Sequence, residues 1–535
     1  MTEREMDCVR VRYEIVPAFL MAVTLGFSVG LLADFWWLGN LQAAIFVLAM
    51  VCFSRSKGGM LGNCLLLAGA FGGAVFVAFL GLVRGEFLIW PALFVVIANL
   101  LLVAFLLRER TLGGLEFARW RSYFPRVFVM FMACGVFYVN FMPNWMAGQS
   151  VALLEAFFIF AVLAIARTEK QEGMSWFFTG ALSALALTFV LANALAAIEG
   201  VAMASWSRVF HMVLHLVFAV VFLRFLLSDA PVSSLVAKAV LLAVPVYAMF
   251  LITAWVGMEV PEQHDWMNKP PLFRHIRHLA YFLCIGMVTA AWASLAWQGG
   301  WRGAAMLTFC LVTSIMLWSG SRGAFLAASI GILTLSIGFP LRRCARVWLV
   351  LLFAVWAAML VSALFPVDQS GVGWLSAFMR SDQASSINQL SSGRLGIWTY
   401  LVPFIAERPW FGWGAEGFLS VWEGFPIRQA HNGVMQLLIE WGAAGAALFL
   451  LIIGWLSFKG GKLYMVTAKA GKTTVTLAYG VSLLTALLTL ALTDGIFYFG
   501  MPMTYLMIAC AFIGGELIRH KRVDLGSKAI SDPAG

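Results

Sequence analysis

The sequence AYFLCIGMVTAAWASLAW, from Ala280 to Trp297, contains no charged side chain and is one of many apolar runs of similar length in this 535-residue chain. About sixteen such runs, of roughly 17 to 22 residues each, have the length that an α-helix needs to cross a bilayer. Because the hydrocarbon core offers no water, each spanning segment must satisfy its own backbone hydrogen bonds, and these runs are too long for barrel strands. Hydrophobic residues make up 62% of the chain and charged residues 12%. The sequence therefore predicts an all-α, polytopic membrane protein with about 14 to 16 spans.

The runs and one long polar segment divide the chain into five predicted regions. Six runs lie between Ile15 and Ala166. The other ten are Phe177–Ala197, His211–Leu227, Ala239–Gly257, Ala280–Trp297, Ala304–Ser319, Gly323–Pro340, Val347–Leu364, Asn432–Phe458, Thr473–Leu492 and Met501–Ile518. The predicted regions are an amino-terminal bundle (1–300), helices that carry Arg322 (301–364), a polar loop with an amphipathic helix (365–430), carboxyl-terminal helices (431–518) and a tail (519–535).

Lysine and arginine are distributed unevenly over the connections between the runs. When every second connection is assigned to the cytoplasm, 25 of the 36 Lys and Arg residues lie there, ten lie on the far side, and Arg224 lies within a span. Short basic loops resist translocation, so this distribution predicts cytoplasmic termini and places residues 365–430 on the far side of the membrane. The net charge of +10 is then explained by basic loops that orient the protein in the membrane and contact anionic lipid. No nucleic-acid partner is expected from this charge.

The polar segment from Pro366 to His431 has the composition of a soluble protein inside a chain of apolar helices. Within it, Ser391 and Ser392 are predicted to cap a helix that runs from Arg394 to about Glu407. The apolar face expected for this helix consists of Leu395, Trp398, Leu401 and Val402. Such a helix is predicted to lie along the membrane surface.

Ionisable residues at the ends of spans are candidates for chemistry, because charge is costly near lipid. Arg322 begins a span, and its planar guanidinium suits bidentate contact with phosphate oxygens. Arg394 begins the predicted loop helix, where free N–H groups also favour an anion. His431, at the start of another span, has the pKa of a proton acceptor. Anchoring at the membrane interface is the alternative role for each of them.

Glu440 lies roughly 13 Å below His431 along the same predicted helix, at 1.5 Å per residue. A carboxyl group at that depth must be paired or protonated, so Glu440 is predicted to be a structural polar residue of the span.

Four groups of residues in the second half of the chain, considered together with their order and spacing, resemble the motifs of a known protein family. They are Ser319-Gly320-Ser321-Arg322-Gly323-Ala324, then Ser392-Gly393-Arg394 with Trp398, then Arg408-Pro409-Trp410-Phe411-Gly412-Trp413-Gly414, then His431-Asn432 leading to Glu440-Trp441-Gly442-Ala443-Ala444-Gly445. Together they resemble the O-antigen ligase and O-antigen polymerase family of bacterial inner-membrane glycosyltransferases. The resemblance covers roughly Arg302 to the carboxyl end.

The resemblance implies a helical fold of the lipid-linked-sugar glycosyltransferase type, with one long periplasmic loop over an active site at the periplasmic face of the inner membrane. It implies a glycan donor on undecaprenyl pyrophosphate, an acceptor such as a glycan or lipid A-core, and transfer without a metal or other cofactor. By position, Arg322 and Arg394 would hold the pyrophosphate and His431 would act at the acceptor hydroxyl, so these three are the predicted catalytic residues. The further residues expected at the substrate are Trp398, Arg428, Asn432 and Gln436.

The chemistry of such a transfer needs the same residue types. A pyrophosphate leaving group requires charge stabilisation, which arginines supply, and a hydroxyl nucleophile requires a base. No Asp-x-Asp pair occurs in the predicted far-side loops, and the histidines there lack the carboxylate spacing of a metal cage.

Several related functions fit these residues. The lead hypothesis is an O-antigen ligase-like transferase, and the alternatives within its class are an O-antigen or exopolysaccharide polymerase and a protein O-oligosaccharyltransferase. The chain has about four more predicted amino-terminal spans than typical ligases, so the sequence does not decide between a ligase, a polymerase and a protein O-oligosaccharyltransferase. A transporter of an amphipathic anion, from another class, should show repeat symmetry and broken helices near the midplane.

Overall fold

The computed structural model describes most of the carboxyl-terminal two thirds of the chain. The described ranges are 176–201, 204–228, 232–368, 372–373, 391–424 and 427–531, with isolated positions between 129 and 162 and at 386 and 388. The first four predicted runs lie outside the described residues, and the next two are described only at isolated positions. The span count for the whole chain and the five-region division therefore stay predictions.

Regular structure in the described residues is helical, and these residues contain no strand. A 3-10 turn occupies Pro261–Gln263. The α-helices are α1 (Trp176–Ile198), α2 (Trp206–Ser228), α3 (Val232–Val256), α4 (Ile276–Ala296), α5 (Gly299–Trp318), α6 (Arg322–Gly338), α7 (Leu341–Ala363), α8 (Arg394–Glu407), α9 (Gly417–Val421), α10 (Gly433–Lys469), α11 (Val475–Ala491) and α12 (Gly500–Ser531).

Each of the last ten predicted runs coincides with one of these helices. Among the described residues, eight helices are long and apolar enough to cross a membrane, and α6 and α11 are shorter apolar helices of 17 residues. The fold is therefore an all-α, polytopic membrane fold, as predicted. The two short helices pack closely on each other, since a Cβ atom on Gly331 of α6 would lie 2.6 Å from the Cβ of Ala486 in α11.

The most buried span is α4, which contains the apolar run from Ala280 to Trp297. It contacts α5, α6, α7, α11 and α12. Two of its buried polar side chains bond to a neighbouring helix: Thr289 shares a hydrogen bond with Tyr479 over 2.8 Å, and Trp292 donates to the carbonyl of Val475 over 2.8 Å. The part of α4 from Leu279 to Ala296 contains no charged side chain, which suits this central position, and Arg277 lies at the start of the helix.

The predicted loop helix is present as α8, with two differences from the prediction. Its amino-terminal cap is Gly393, although Ser391 still accepts a hydrogen bond from the Leu395 N–H over 3.3 Å. Ser392 is exposed and adopts φ 56°. Val402 is half exposed, and the buried face instead consists of Ile397, Leu401 and Phe404, which pack on Phe418 and Val421 around α9.

Helix α10 is interrupted at Gly442, which has φ 60° and ψ −170°. The chain between Pro409 and Trp413 fills the interruption: Trp413 donates its N–H to the Ile439 carbonyl over 2.8 Å, and Ala443 donates to the Pro409 carbonyl over 2.7 Å. Irregular backbone inside a membrane protein is tolerated where protein satisfies it. These bonds explain why tryptophan and glycine punctuate both segments.

We expect Gly442→Ala to destabilise the protein by roughly 2 to 6 kcal/mol, because the new Cβ would overlap the backbone of Trp410 and Phe411 in a conformation that only glycine adopts readily. Thermal unfolding of purified protein in detergent measures the effect. The matched control is Gly454→Ala in the same helix, where a Cβ meets nothing within 4 Å and should stabilise by about 0.5 to 1 kcal/mol. Equal melting temperatures for the two variants would contradict the packing described for Gly442.

Candidate active site

A cavity of about 410 Å³ opens between the ends of several helices in the compact unit made of residues 169–228, 251–270 and 275–535. Three guanidinium groups line it, from Arg277 in α4, Arg322 in α6 and Arg394 in α8, together with the carboxyl of Asp494. Its other principal lining residues are Met267, His275, Tyr281, Ser319, Gly320, Ser321, Gly323, Ala324, Ser392 and Thr493.

Arg322 enters the cavity from a tight turn that ends one helix and begins the next. Gly320 has φ 65°, and the Arg322 N–H donates to its carbonyl over 3.0 Å. Ser321 caps α6 without a side-chain hydrogen bond. Gly323 allows the turn to lie against Thr493, since a Cβ there would be 3.0 Å from the threonine hydroxyl. The free N–H groups of the first turn therefore face the same cavity as the guanidinium, which suits an anion.

Arg394 is held by two consecutive residues in the left-handed conformation, Ser392 at φ 56° and Gly393 at φ 79°. Its Nε atom is buried and meets no hydrogen-bond acceptor among the described residues. Burial lowers the pKa of the Arg394 guanidinium, and the nearby charges of Arg277 and Arg322 lower it further, whereas Asp494 opposes them. The side chain is therefore oriented toward the cavity with donor capacity unused.

His431 is buried behind the cavity wall and is bound on both sides. Its Nδ1 lies 3.2 Å from Oδ1 of Asp494, and its Nε2 lies 2.8 Å from Nη1 of Arg277. The same Nη1 lies 3.4 Å from Nδ1, so it is placed over the ring face and not along the Nε2 lone pair. An ionised carboxylate only accepts, so the ring proton lies on Nδ1 and points at Asp494. Burial lowers the pKa of His431, and the hydrogen bond to Asp494 offsets this only in part. The ring is thus a neutral imidazole with a defined tautomer.

Asp494 is the carboxylate that fixes this tautomer. Its Oδ1 also accepts hydrogen bonds from Gln429 Nε2 over 2.9 Å and from the Gly495 N–H over 2.8 Å. Burial by itself would raise the pKa of the Asp494 carboxyl, but His431 and the charges of Arg277 and Arg394 hold it well below its usual range. The carboxylate is therefore ionised and is the counter-charge of the site.

A second layer of hydrogen bonds fixes the backbone at His431, which has φ 52°. Trp398 donates its indole N–H to the Ala430 carbonyl over 2.9 Å, and Gln436 Oε1 accepts from the Ala430 N–H over 2.8 Å. Gln436 then donates to Glu440 over 2.9 Å, and Glu440 lies 3.5 Å from the guanidinium of Arg208. Glu440 is therefore paired with Gln436 and Arg208 inside the fold, which agrees with the need for a partner expected of a carboxyl group within a span.

The structure brings Arg322, Arg394 and His431 together, and it places the other predicted contacts elsewhere. Asn432 caps α10 by accepting from the Val434 and Met435 N–H groups. Asn432, Gln436 and Trp398 have their polar atoms engaged by protein and do not line the cavity, and neither does Arg428, which is exposed.

Asp494, Arg277 and Arg208 were not assigned these roles from the sequence. Asp494 had a usable signal: it is the one charged residue between Lys472 and Glu516, where a charge beside a span calls for a partner. No spacing in the sequence links Arg277 to His431 or Arg208 to Glu440.

Comparison with known families gives one match, to the O-antigen ligase family, over residues 304–450. This segment of the chain is similar to the O-antigen ligase family. The O-antigen ligase segment contains Arg322, Arg394, His431 and Glu440, whereas Arg277 and Asp494 lie outside it. No curated protein sequence matches the chain. The family and the apolar helices together indicate a glycosyltransferase-type enzyme and a multi-pass protein of the bacterial inner membrane.

We expect the ring of His431 to be protonated on Nδ1 and not on Nε2 at pH 7, and to stay neutral to a lower pH than a free histidine with a pKa near 6.5. Asp494→Asn removes the negative charge that favours the imidazolium, so the pKa of His431 should fall further. Ring-nitrogen chemical shifts of labelled protein in nanodiscs report both quantities. Asp368→Asn, an exposed carboxylate, is the control. A ring protonated on Nε2, or a pKa that rises in Asp494→Asn, would contradict the assignment.

Proposed function

We propose that this protein transfers a glycan from undecaprenyl pyrophosphate to an acceptor hydroxyl at the periplasmic face of the inner membrane, as an O-antigen ligase-like transferase. The observation that carries the proposal is the cavity itself: three guanidinium groups from three helices face one carboxylate, beside a neutral imidazole with a fixed tautomer. This surplus of positive charge among the described residues fits a diphosphate, and the imidazole fits a base for the acceptor.

In the proposed reaction, Arg322 and Arg394 bind the diphosphate and stabilise the charge that develops as the sugar leaves. The acceptor oxygen attacks the anomeric carbon from the side opposite the diphosphate, so the configuration inverts. The bond from that carbon to the diphosphate breaks with its electron pair going to the diphosphate oxygen. His431 takes the hydroxyl proton at Nε2, and Asp494 stabilises the resulting imidazolium.

The diphosphate leaving group already departs readily when its charge is neutralised, and arginines supply that neutralisation here. Transfer should therefore proceed in the presence of EDTA.

An acceptor of lipid A-core type is the first to test, and a second lipid-linked glycan is the comparison that separates a ligase from a polymerase.

We expect His431→Ala to lower kcat by about 10² to 10⁴, and Arg322→Ala and Arg394→Ala each to lower it by about 10² to 10³. The measurement is transfer from purified lipid-linked donor by protein reconstituted in liposomes. Arg342→Ala, an exposed arginine of α7 that does not line the cavity, is the matched control for lost charge. Melting temperatures of all variants separate lost chemistry from lost folding. Full turnover by His431→Ala would remove the base from the proposal.

The side of the membrane is tested by labelling. Glu423→Cys, at an exposed position after α9, should react with an impermeant thiol reagent added outside spheroplasts, whereas Lys472→Cys, exposed between α10 and α11, should react only after lysis. Both changes are made in a variant without the native cysteines. The reverse pattern would place the cavity on the cytoplasmic side and exclude a periplasmic reaction.

A further inference from the structure

Tyr281 places a hydroxyl group without a hydrogen-bond partner in the wall of the cavity. It lies one turn after Arg277 on α4, so both side chains share the helix face that lines the cavity. Tyr281 is fully buried, and its hydroxyl oxygen meets no hydrogen-bond partner among the described residues. The large majority of buried side-chain polar groups are satisfied. An unsatisfied hydroxyl in a cavity wall therefore indicates a partner from outside the protein.

The ring of Tyr281 is held by aromatic contacts, so its hydroxyl has a defined position. The ring centroid lies 5.7 Å from that of Phe499 and 6.1 Å from that of His278, which is stacked on it. Asp494 and Gln429 lie close enough to the hydroxyl to interact with it. Neither of them accepts its proton in the geometry of a hydrogen bond. The hydroxyl is therefore a preorganised donor beside the carboxylate of the site.

Asp494 offers an acceptor next to this donor. All three hydrogen bonds that its carboxylate accepts from the described residues go to Oδ1, from His431, Gln429 and the Gly495 N–H. Its Oδ2 accepts none of them, and Asp494 lines the cavity. An ionised carboxylate oxygen can only accept a hydrogen bond. The cavity wall thus carries an unused acceptor and an unused donor side by side.

Charge decides what kind of group this pair can bind. With His275 neutral, the three guanidinium groups and the one carboxylate give the cavity wall a net charge of +2. A diphosphate esterified at both ends carries two negative charges, so the guanidinium groups are sufficient to neutralise it. The Oδ2 atom of Asp494 repels a phosphate oxygen at short range. The pair therefore suits a neutral group that both donates and accepts a hydrogen bond, and a sugar hydroxyl is such a group.

We propose that the hydroxyl of Tyr281 and Oδ2 of Asp494 form a subsite for a hydroxyl group of the donor glycan, on the sugar that is bonded to the diphosphate. This inference rests on the proposed function and adds sugar recognition to it. The sugar hydroxyl accepts a hydrogen bond from Tyr281 and donates one to Asp494. The anomeric carbon is bonded directly to a diphosphate oxygen, so this sugar lies beside the guanidinium groups. A sugar without that hydroxyl would leave both protein groups unpaired, which is a basis for selectivity.

The direct test compares Tyr281→Phe, which removes only the hydroxyl, with the wild-type protein in nanodiscs. The two probes are undecaprenyl pyrophosphate without glycan and the purified lipid-linked glycan donor. We expect Tyr281→Phe to weaken binding of the glycan-bearing donor about 5- to 50-fold and to bind the probe without glycan as the wild type does. Equal weakening for both probes would assign the hydroxyl to the diphosphate and overturn the proposal. Unchanged binding of both probes would overturn it as well.

Melting temperatures separate sugar recognition from a structural role. Tyr281→Phe should melt at or above the wild-type temperature, because it removes a buried hydroxyl that has no partner in the protein. The matched control is Tyr479→Phe, whose hydroxyl shares a hydrogen bond with Thr289 over 2.8 Å and does not line the cavity. This control should melt at a lower temperature and bind both probes as the wild type does. A lower melting temperature for Tyr281→Phe with unchanged donor binding would show that its hydroxyl serves the fold.

Transfer kinetics distinguish the donor sugar from the acceptor. Tyr281→Phe should raise KM for the donor by a factor similar to the loss of binding and leave KM for the acceptor unchanged. The opposite result would place the subsite at the acceptor and overturn the assignment to the donor. If the wild-type protein binds both probes and transfers glycan but Tyr281→Phe changes neither donor binding nor KM, only the subsite fails. If the wild-type protein binds neither probe, the proposed function fails as well.

Discussion

The Oδ1 atom of Asp494 accepts three hydrogen bonds, from the ring of His431, the side chain of Gln429 and the backbone of Gly495. The tautomer of His431 and the charge balance of the cavity depend on this buried negative charge. Among the described residues it is the only carboxylate in a cavity wall with three guanidinium groups, so its loss would leave positive charges uncompensated at a cost of several kcal/mol. Its position also decides which ring nitrogen of His431 carries the proton. Stability and chemistry are therefore coupled through one atom.

The backbone around His431 is held by polar contacts from three helices, which do not involve its ring. Trp398 in α8, Gln436 and Glu440 in α10 and Arg208 in α2 form a continuous chain of polar contacts that ends at Ala430. A non-glycine residue at φ 52° costs of the order of 1 kcal/mol and persists only where its surroundings impose it. Arg208 is thus connected to the backbone at His431 through Glu440 and Gln436, although it does not line the cavity.

The sequence was sufficient for those parts of the structure that depend on local pattern. Hydrophobic run length located all ten described membrane helices, and the capping residues predicted at Ser391 and Ser392 located the start of α8, because both signals are local in the sequence. The predicted apolar face of α8 failed at Val402, since which side of a helix is buried depends on its partners. The pairings that define the site join residues 63, 154 and 232 positions apart, and no periodicity encodes such distances. Candidate residues could be named in advance, but the relation of Asp494 and Arg277 to His431 could not.

Charge balance during the proposed reaction explains why a carboxylate belongs in a site built for an anion. Before transfer the diphosphate is esterified at both ends, whereas afterwards the end that held the sugar is free and can lose another proton, with a pKa near 6 for a phosphate monoester. The leaving group is therefore more negative than the donor and binds the three guanidinium groups more strongly. Arginines alone would retain this product, and release would then limit turnover. Asp494 repels the extra charge while it orients the imidazole, so the same carboxylate opposes product retention and supports proton transfer.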